Sequence, residues 1–248
     1  MDEADSQRPA GSDAPAEPEK TALDAISGAA DRFARLAVEL HDTGGVQETV
    51  DAVVEFALQA LNCSHAGVAL SVRGGPQIPA VTDPVVAEVY ELQMNTRTGP
   101  LVEAMRGRDS ILIPDTATDE RWPEWTARVR ALGVRTVLDV PLTTAAGTIG
   151  VLGLYSTKPD AFDADDEAIA RILARHASVA VASARHDESM AQAIDARKLV
   201  GQAMGILMER YEIDGDRAFE VLKRYSQDTN TKLRDVAQQL VDTRKLPR

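Results

Sequence analysis

The chain has 248 residues, a formal net charge of −12 and a single cysteine, Cys63. One cysteine excludes an internal disulfide, and the acidic balance disfavours nucleic acid or an anionic membrane as a partner of the chain as a whole. No apolar stretch approaches the roughly 20 residues that span a bilayer, and no apolar N-terminal run resembles a signal peptide. We therefore expect a cytoplasmic protein without membrane contact.

The charge is distributed unevenly. Residues 187–248 hold eleven basic and eleven acidic side chains, so the whole acidic excess lies in residues 1–186. A polyanion would be repelled by the first part of the chain and tolerated only by the last. Residues 1–20 are rich in Asp, Glu, Pro, Ala, Gly and Ser. They bury too little apolar surface to become ordered, so we predict a disordered acidic tail.

Mixed elements follow the tail. Apolar spacing predicts helices from Leu23 to about residue 40 and over 46–61, 85–94, 101–105 and 125–132. Strands are predicted over 66–73, 111–113, 135–143 and 148–156, and the last two are joined as a hairpin by Ala145-Ala-Gly147. Helices, then mixed strands and helices, then a closing helix predict an α+β domain.

Five motifs in this region form a set. They are Thr98-Gly-Pro-Leu-Val-Glu-Ala, Asp115 through Asp119-Glu-Arg-Trp-Pro, Gly133-Val-Arg-Thr-Val-Leu-Asp-Val-Pro-Leu, Gly150-Val-Leu-Gly-Leu-Tyr-Ser and Phe162-Asp163. The set resembles the GAF domain, a small-molecule sensor of bacterial signalling proteins. That resemblance implies an antiparallel sheet flanked by helices over residues 21–185. Ligands of the family include cyclic nucleotides, haem, bilins and small metabolites, so an unknown small-molecule ligand is expected, with a cyclic nucleotide among the candidates.

The resemblance also implies a pocket between the sheet and its helices. Its expected walls are Val68, Leu70, Asp115, Arg121, Trp122, Leu138, Val140 and Tyr155. The segment 121–123 also fits a structural anchor for its loop. Cys63 and His65 are too few for a closed metal site, so no metal is expected, and Cys63 is interpreted as a buried structural thiol.

A long helical pattern begins after Asp163, which suits a helix N-cap. It contains no Gly or Pro until Gly201, and it predicts one helix or two abutting helices up to Tyr211. An alternation of four and three residues, close to a heptad seam, runs through Ile169, Leu173, His176, Ala180 and Ser183 and extends through Ala177, Ala184, Ala191 and Ile194. We predict a coiled-coil homodimer through this seam. The alternative is that Ile169, Leu173 and Ala177 pack on the sheet of their own domain.

Residues 196–248 predict three helices, the second capped by Asp214 and the third beginning near Thr229 or Thr231. Their apolar positions are Leu199, Val200, Ala203, Ile206, Leu207 and Tyr211, then Ala218, Phe219, Val221, Leu222 and Tyr225, and last Leu233, Val236, Ala237, Leu240 and Val241. Helices this short are marginal alone, so we expect them to pack on one another.

The same segment carries a second set of motifs. It comprises Gln202-Ala-Met-Gly-Ile-Leu-Met208, Ala218-Phe219, Leu222, Tyr225-Ser226, Asn230 and Lys232-Leu-Arg-Asp-Val-Ala237. The set resembles the ANTAR domain, here over residues 186–248. Members of that family bind paired hairpins in nascent RNA and prevent a terminator from forming. The whole chain thus resembles GAF–ANTAR transcription antitermination regulators of the actinobacterial type.

The resemblance and the local basic side chains together predict RNA contact at nine positions. They are Gln202, Ala203, Met204, Arg224, Tyr225, Ser226, Asn230, Lys232 and Arg234. Many family members have Lys where this chain has Met204, which removes a basic contact. Tyr225 also fits a half-buried core aromatic, and Asn230 a cap or turn.

Two other functions compete with RNA binding as explanations of these patterns. The second and third helices fit a DNA-binding helix-turn-helix with Thr231, Lys232 and Arg234 at the start of the reading helix, which makes a DNA-binding regulator with a GAF sensor the alternative. A free methionine sulfoxide reductase of GAF type needs several cysteines, and no catalytic motif is present, so no enzyme is predicted.

Overall fold

A computed structural model of the chain describes residues 34–36, 38–40, 43–72 and 75–246. The chain divides into two compact units. The first holds the described residues up to Ala180 except Gly44–Val46, and the second holds Gly44–Val46 and the residues from Val181 onward. The predicted tail and most of the first predicted helix lie outside the described residues. The domain limits 21–185 and 186–248 stay predictions.

Twelve elements follow residues 34–40. The helices are α1 Val46–Ala60, α2 Pro84–Thr96, α3 Pro100–Arg106, α4 Pro123–Ala131, α5 Ala164–Tyr211, α6 Gly215–Asp228 and α7 Leu233–Thr243. The strands are β1 His65–Val72, β2 Gly75–Val81, β3 Ile111–Ile113, β4 Thr136–Thr144 and β5 Gly147–Ser156. The predicted helices and strands of this region are confirmed in type, and β2 was not predicted.

The strands form one antiparallel sheet in the order β2-β1-β5-β4-β3. This confirms the predicted α+β class with an antiparallel sheet flanked by helices. Residues paired across the sheet share a face, and successive residues alternate between faces. Gly67, Gly153 and Asp139 are in register and define one face, here the α2–α4 face. Leu152 and the residues paired with it lie on the opposite face.

Strand β2 was not predicted because it contains two prolines, Pro76 and Pro79. Proline has no N–H to donate to a strand ladder, so it argues against a central strand. β2 pairs only with β1 and forms an edge of the sheet, where the missing donor costs little.

One core cluster of the first unit lies on the α2–α4 face. Buried side chains of the strands meet buried side chains of the three helices there, namely Ala69, Ile113, Val137, Val151 and Tyr155 with Val86, Val89, Tyr90, Leu101, Ala104, Trp125 and Val129. At about 1.5–3 kcal/mol for each large apolar side chain, this burial outweighs any single polar contact of the unit.

The turn between α2 and α3 depends on Gly99, whose φ of 134° is a conformation that favours glycine. The Gln93 side chain lies under this turn, and its Oε1 accepts a hydrogen bond of 2.8 Å from the Leu101 N–H. The turn therefore holds the end of α2 at a fixed position beside α3.

Helix α5 is one continuous helix of 48 residues, which decides between one helix and two. Asp163 caps it, because Asp163 Oδ1 accepts from the N–H groups of Asp165 and Asp166, each at 2.9 Å. In its N-terminal half, the buried residues are Ala170, Leu173, Ala174, Ala177, Ser178 and Val181.

The predicted heptad seam is wrong at Leu173 and Ala177. Both are fully buried, so they are not available to a second helix. Since an amphipathic helix usually covers apolar surface of its own domain, this burial favours the alternative prediction over the seam. The exposed apolar residues of α5 before Ala180 are instead Ile172 and Val179.

The second unit has a core of its own. It is formed by the C-terminal part of α5 with α6 and α7, namely Ala203, Leu207, Ala218, Leu222, Val236, Ala237 and Leu240. Asp214 caps α6 by accepting from the Arg217 N–H at 2.9 Å, as predicted. Of the apolar positions that the sequence offers for helix packing, Tyr211 and Phe219 stay largely outside this core, since they are 56% and 40% exposed. Ala218 and Leu222 set the buried face of α6, and Phe219 is rotated away from it.

Candidate functional site

A cleft of about 290 Å³ opens between α2 and α4 of the first unit. We call it the tryptophan cleft. It is lined by Leu92, Thr96, Thr98, Arg121, Trp122, Pro123, Glu124, Trp125 and Arg128. Its volume lies near the lower end of the range of about 300–1,000 Å³ that small-molecule sites occupy.

Local contacts hold the rim of the cleft. The Arg121 guanidinium lies 4.7 Å from the centroid of the Trp122 ring and donates hydrogen bonds to Asp119 and to the Leu112 carbonyl. The Trp122 and Trp125 rings meet edge to face, 6.4 Å apart. The cation–π contact, the ion pair and the ring contact together fix Trp122 at the mouth.

The structure corrects the predicted pocket. Arg121 and Trp122 do line one cleft, but the strand residues belong to both faces of the sheet. Val68, Leu70, Leu138 and Val140 lie on the opposite face, whereas Tyr155 lies on the α2–α4 face. Residues one position apart on a strand point in opposite directions, so these side chains cannot be walls of one pocket.

Asp115 lies outside the cleft and binds Arg135. Its two carboxylate oxygens accept from Arg135 Nε at 3.0 Å and from Nη2 at 2.7 Å. These hydrogen bonds, followed by that of the Ala117 N–H, hold the pKa of Asp115 below its usual value. This bidentate pair joins the loop after β3 to the start of β4, so Asp115 has a structural role.

A buried polar cluster lies on the α2–α4 face around Gly153. The side chains of Asp139, Tyr90 and Tyr155 are all fully buried. A Cβ on Gly153 would lie closer than 3.0 Å to the Tyr90 hydroxyl, the Tyr155 hydroxyl and Asp139 Oδ1. Gly153 therefore leaves the space in which the three polar groups converge.

Only one member of this cluster is well paired. The Tyr90 hydroxyl donates to the Gly67 carbonyl at 2.8 Å, whereas the Tyr155 hydroxyl and both Asp139 oxygens find no hydrogen-bond partner of good geometry among the described residues. Burial raises the pKa of Asp139 to about 7, and the nearby Tyr155 hydroxyl offsets this only in part. Burial and the Asp139 charge likewise raise the pKa of Tyr155. Asp139 is thus a carboxyl group that titrates near neutral pH.

Cys63 has the environment expected of a structural thiol. It is half-buried, and its Sγ lies 3.5 Å from the Ala57 carbonyl. Burial raises the pKa of Cys63 to about 11, which disfavours the reactive thiolate. Among the described residues no group of three His, Cys, Asp or Glu side chains is arranged to hold a metal ion, and no helix could cross a membrane.

The nine predicted RNA contacts fall on three segments of the second unit. Ala203 is fully buried in the core, so its side chain cannot reach RNA, and we drop it from the surface. Met204 and Tyr225 are half-buried and pack against the same core. The Ser226 hydroxyl is engaged in the α6–α7 turn, where it donates to the Thr231 carbonyl at 2.7 Å.

The remaining predicted contacts are exposed, namely Gln202, Arg224, Asn230, Lys232 and Arg234. Arg224 lines an open groove along α6, the α6 groove, together with Ile213, Arg217, Glu220, Val221, Lys223, Gln227 and Asp228. Its Nε lies 3.7 Å from Asp228, and both side chains are largely exposed, so this ion pair is weak. Arg217 and Lys223 extend the basic surface beyond the predicted residues.

Two families match the chain in succession. The sequence profile of the GAF domain matches residues 43–182, more than half of the chain. The chain belongs to the GAF domain family. The profile of the ANTAR domain matches residues 188–241, directly after the GAF domain. Together the two domains make this chain a signal-responsive regulator.

Solved structures agree with the GAF fold. A domain of a two-component sensor histidine kinase from Sinorhizobium meliloti has a TM-score of 0.51 at 18% identity, covering 60% of this chain and 99% of that one. The GAF domain of a phosphoenolpyruvate-protein phosphotransferase from Coxiella burnetii has a TM-score of 0.51 at 16% identity, covering 65% and 96%. At these identities the likeness concerns the fold alone.

A curated relative is also a regulator. The anaerobic nitric oxide reductase transcription regulator NorR of Citrobacter koseri is 26% identical over 161 residues, which are 64% of this chain and 32% of that protein. The chain thus spans about a third of the length of this relative.

Some site residues were missed at the sequence level although signals existed. Trp125 and Arg128 follow Trp122 and Arg121 at spacings of three and seven, which places them on one side of α4. Asp139 is the one charged residue of its strand and lies between Leu138 and Val140, a pattern that is rare unless the charge has a role.

Proposed function

We propose that this GAF–ANTAR chain is an RNA-binding transcription antiterminator. Its ANTAR domain would bind paired hairpins in nascent transcripts in the cytoplasm, and its GAF domain would bind a small molecule that controls this binding. The observation that carries the proposal is the ANTAR match directly after the GAF match. The likeness to a transcription regulator, NorR, supports control of transcription.

The charges of the ANTAR surface support RNA as the partner. Arg217, Lys223 and Arg224 lie along the α6 groove, and Lys232 and Arg234 are exposed at the start of α7. Each Lys or Arg that contacts a phosphate releases condensed counterions, which gives a salt-dependent affinity. A handful of such contacts is enough for binding at low salt.

Base stacking has a candidate in Phe219. Its ring is exposed although it is a large apolar group, and it lies four residues before Lys223 on the same side of α6. An exposed aromatic ring beside cations is typical of surfaces that bind single-stranded loops. Tyr225 is less suited, because its ring packs on the ANTAR core.

The α6–α7 turn offers a rigid point for reading a base. Asn230 occupies the left-handed conformation with φ of 49° and is exposed. The Ser226–Thr231 hydrogen bond and the Thr229 hydroxyl, which donates to the Tyr225 carbonyl, hold the turn. The Asn230 carboxamide can therefore donate to and accept from a loop base at little entropic cost.

A homodimer through α5 belongs to the proposal. Met190 and Ile194, four residues apart, are 52% and 62% exposed, and Val179 is 72% exposed. Pairing with the α5 helix of a second copy would cover these apolar side chains. Two ANTAR domains would then bind two hairpins, and avidity would raise the affinity. A ligand could shift this arrangement only by binding two states with different affinity.

The test is a selection from a pool of RNAs that carry two adjacent hairpins with randomised loops and spacing. The full chain is expected to enrich a common loop sequence on both hairpins. Disrupting one stem of a selected RNA should weaken binding by about tenfold or more, since avidity is lost. Equilibrium filter binding at several salt concentrations measures both effects.

Duplex DNA of the same sequence is the matched competitor. We expect it to compete at least about tenfold more weakly than the selected RNA. Equal competition by the DNA would favour the alternative hypothesis, in which α6 and α7 form a DNA-binding helix-turn-helix. A pool that does not converge, or binding that is insensitive to salt, would contradict RNA recognition.

A further inference from the structure

The side chains that line the tryptophan cleft limit the class of ligand that it can bind. Trp122 is half-buried and presents its ring at the mouth, while Trp125 is almost fully buried and donates its indole N–H to the Val89 carbonyl at 3.5 Å. Trp125 thereby belongs to both the cleft and the core. Two indole rings held in this way form a preorganised apolar slot, which favours a flat ring over a flexible chain.

The charged side chains at the cleft differ in whether they have an ion-pair partner. Arg121 is paired with Asp119, and Glu124 lies in the first turn of α4, where the helix dipole favours an acid. In the part of the chain that the structure describes, the Arg128 guanidinium has neither an ion pair nor a hydrogen bond. Among the described residues that line the cleft, Arg128 is therefore the cation without a partner, in a chain whose net charge is −12.

We propose that the tryptophan cleft binds a planar aromatic molecule that carries a single acidic group, with its ring against Trp122 and Trp125 and its acid on Arg128. This inference rests on the proposed sensing role of the GAF domain and names the ligand class. The volume of about 290 Å³ suits a small ring system better than a large cofactor such as haem or a bilin. Glu124 on the same rim disfavours a polyanion, which would place several negative charges beside its carboxylate.

The chain offers a direct reporter for this site. It has only two tryptophans, Trp122 and Trp125, and both line the cleft. The two indole N–H signals in a proton–nitrogen correlation spectrum therefore report on this cleft alone. The probe is 2-naphthoate, with 2-naphthamide as the neutral ring and cyclohexanecarboxylate as the acid without an aromatic ring.

We expect 2-naphthoate to shift both indole signals along saturable curves. 2-Naphthamide and cyclohexanecarboxylate should each bind at least about tenfold more weakly, because each lacks one of the two interactions. Arg128→Gln should weaken 2-naphthoate about tenfold and leave 2-naphthamide unchanged. Arg130→Gln is the matched control, since Arg130 is exposed on the same helix but does not line the cleft.

Two results would overturn the proposal. One is the absence of any indole shift at millimolar 2-naphthoate, which would exclude aromatic acids from the cleft. The other is equal binding of acid and amide with no effect of Arg128→Gln, which would leave an apolar slot without acid recognition. The RNA selection is independent of this titration, so failure of the ligand class and failure of the RNA-binding function are separately visible.

Discussion

Gly153→Ala is expected to destabilise the GAF domain by about 3 kcal/mol, at the upper end of the cost of overpacking a core. The added methyl group would lie closer than 3.0 Å to the Tyr90 hydroxyl, the Tyr155 hydroxyl and Asp139 Oδ1. All three side chains are fully buried, so none can move aside into solvent. The two tyrosine rings meet edge to face with centroids 6.0 Å apart, which further limits their movement.

Urea unfolding followed by tryptophan fluorescence measures this effect, because Trp122 and Trp125 both belong to the GAF domain. The matched control is Gly107→Ala. Its added methyl would meet its nearest atom at 3.4 Å, an ordinary contact, and its φ of −94° suits any residue. We expect the control to change stability by no more than about 0.5 kcal/mol. Equal stability of the two variants would contradict the close convergence at Gly153.

The stability of the GAF domain is expected to fall as pH rises toward 7, because of Asp139. Burial raises the pKa of Asp139 from 3.8 to about 7, so the folded state holds this proton more tightly than the unfolded state. The contribution is fully present below the unfolded pKa and is lost as pH rises through the folded pKa. At 1.36 kcal/mol per pKa unit, the change across this window amounts to about 4 kcal/mol.

Asp139→Asn isolates this effect, since the amide has nearly the same shape and does not ionise. Urea unfolding of both proteins at about pH 5 and about pH 8 gives the difference in unfolding free energy at each pH, and other titrating groups cancel. We expect the wild type to lose about 2–3 kcal/mol relative to Asp139→Asn between these two pH values, because pH 5 already lies above the unfolded pKa. A difference that stays constant between these pH values would contradict a neutral, buried Asp139.

Local patterns predicted most of the fold because the elements follow their own periodicity. The hairpin of β4 and β5 and the caps at Asp163 and Asp214 are local features, and each is confirmed. Strand β2 was missed because its edge position, which makes two prolines tolerable, depends on how the whole sheet is ordered. The apolar pattern does not distinguish Phe219 from its buried neighbours, whereas the packing of α6 leaves its ring exposed.

The GAF site was harder to predict than the fold. Family motifs marked Arg121 and Trp122, and both do line the tryptophan cleft. Val68 and Tyr155 were wrongly assigned to one pocket. Which strand residues share a face follows only from the register of β1, β4 and β5, and a local motif does not contain that register. The convergence of Tyr90 on Asp139 joins a helix to a strand across 49 positions, a distance that no local motif can report.

RNA binding by the ANTAR domain is tested most directly by a matched pair of charge reversals. Lys232→Glu with Arg234→Glu removes two exposed cations at the start of α7, where acids are favoured by the helix dipole, so folding is preserved. Arg108→Glu with Lys158→Glu makes the same change of net charge at exposed positions of the GAF domain.

The measurement is equilibrium binding of the full chain to an RNA enriched from the double-hairpin pool, at low salt. We expect a loss of affinity of at least about tenfold for the α7 variant, with a shallower salt dependence, and a loss below about threefold for the GAF variant. Equal affinities of the two variants would contradict RNA binding by the ANTAR domain, because the ANTAR surface would then contribute no more than the net charge of the chain.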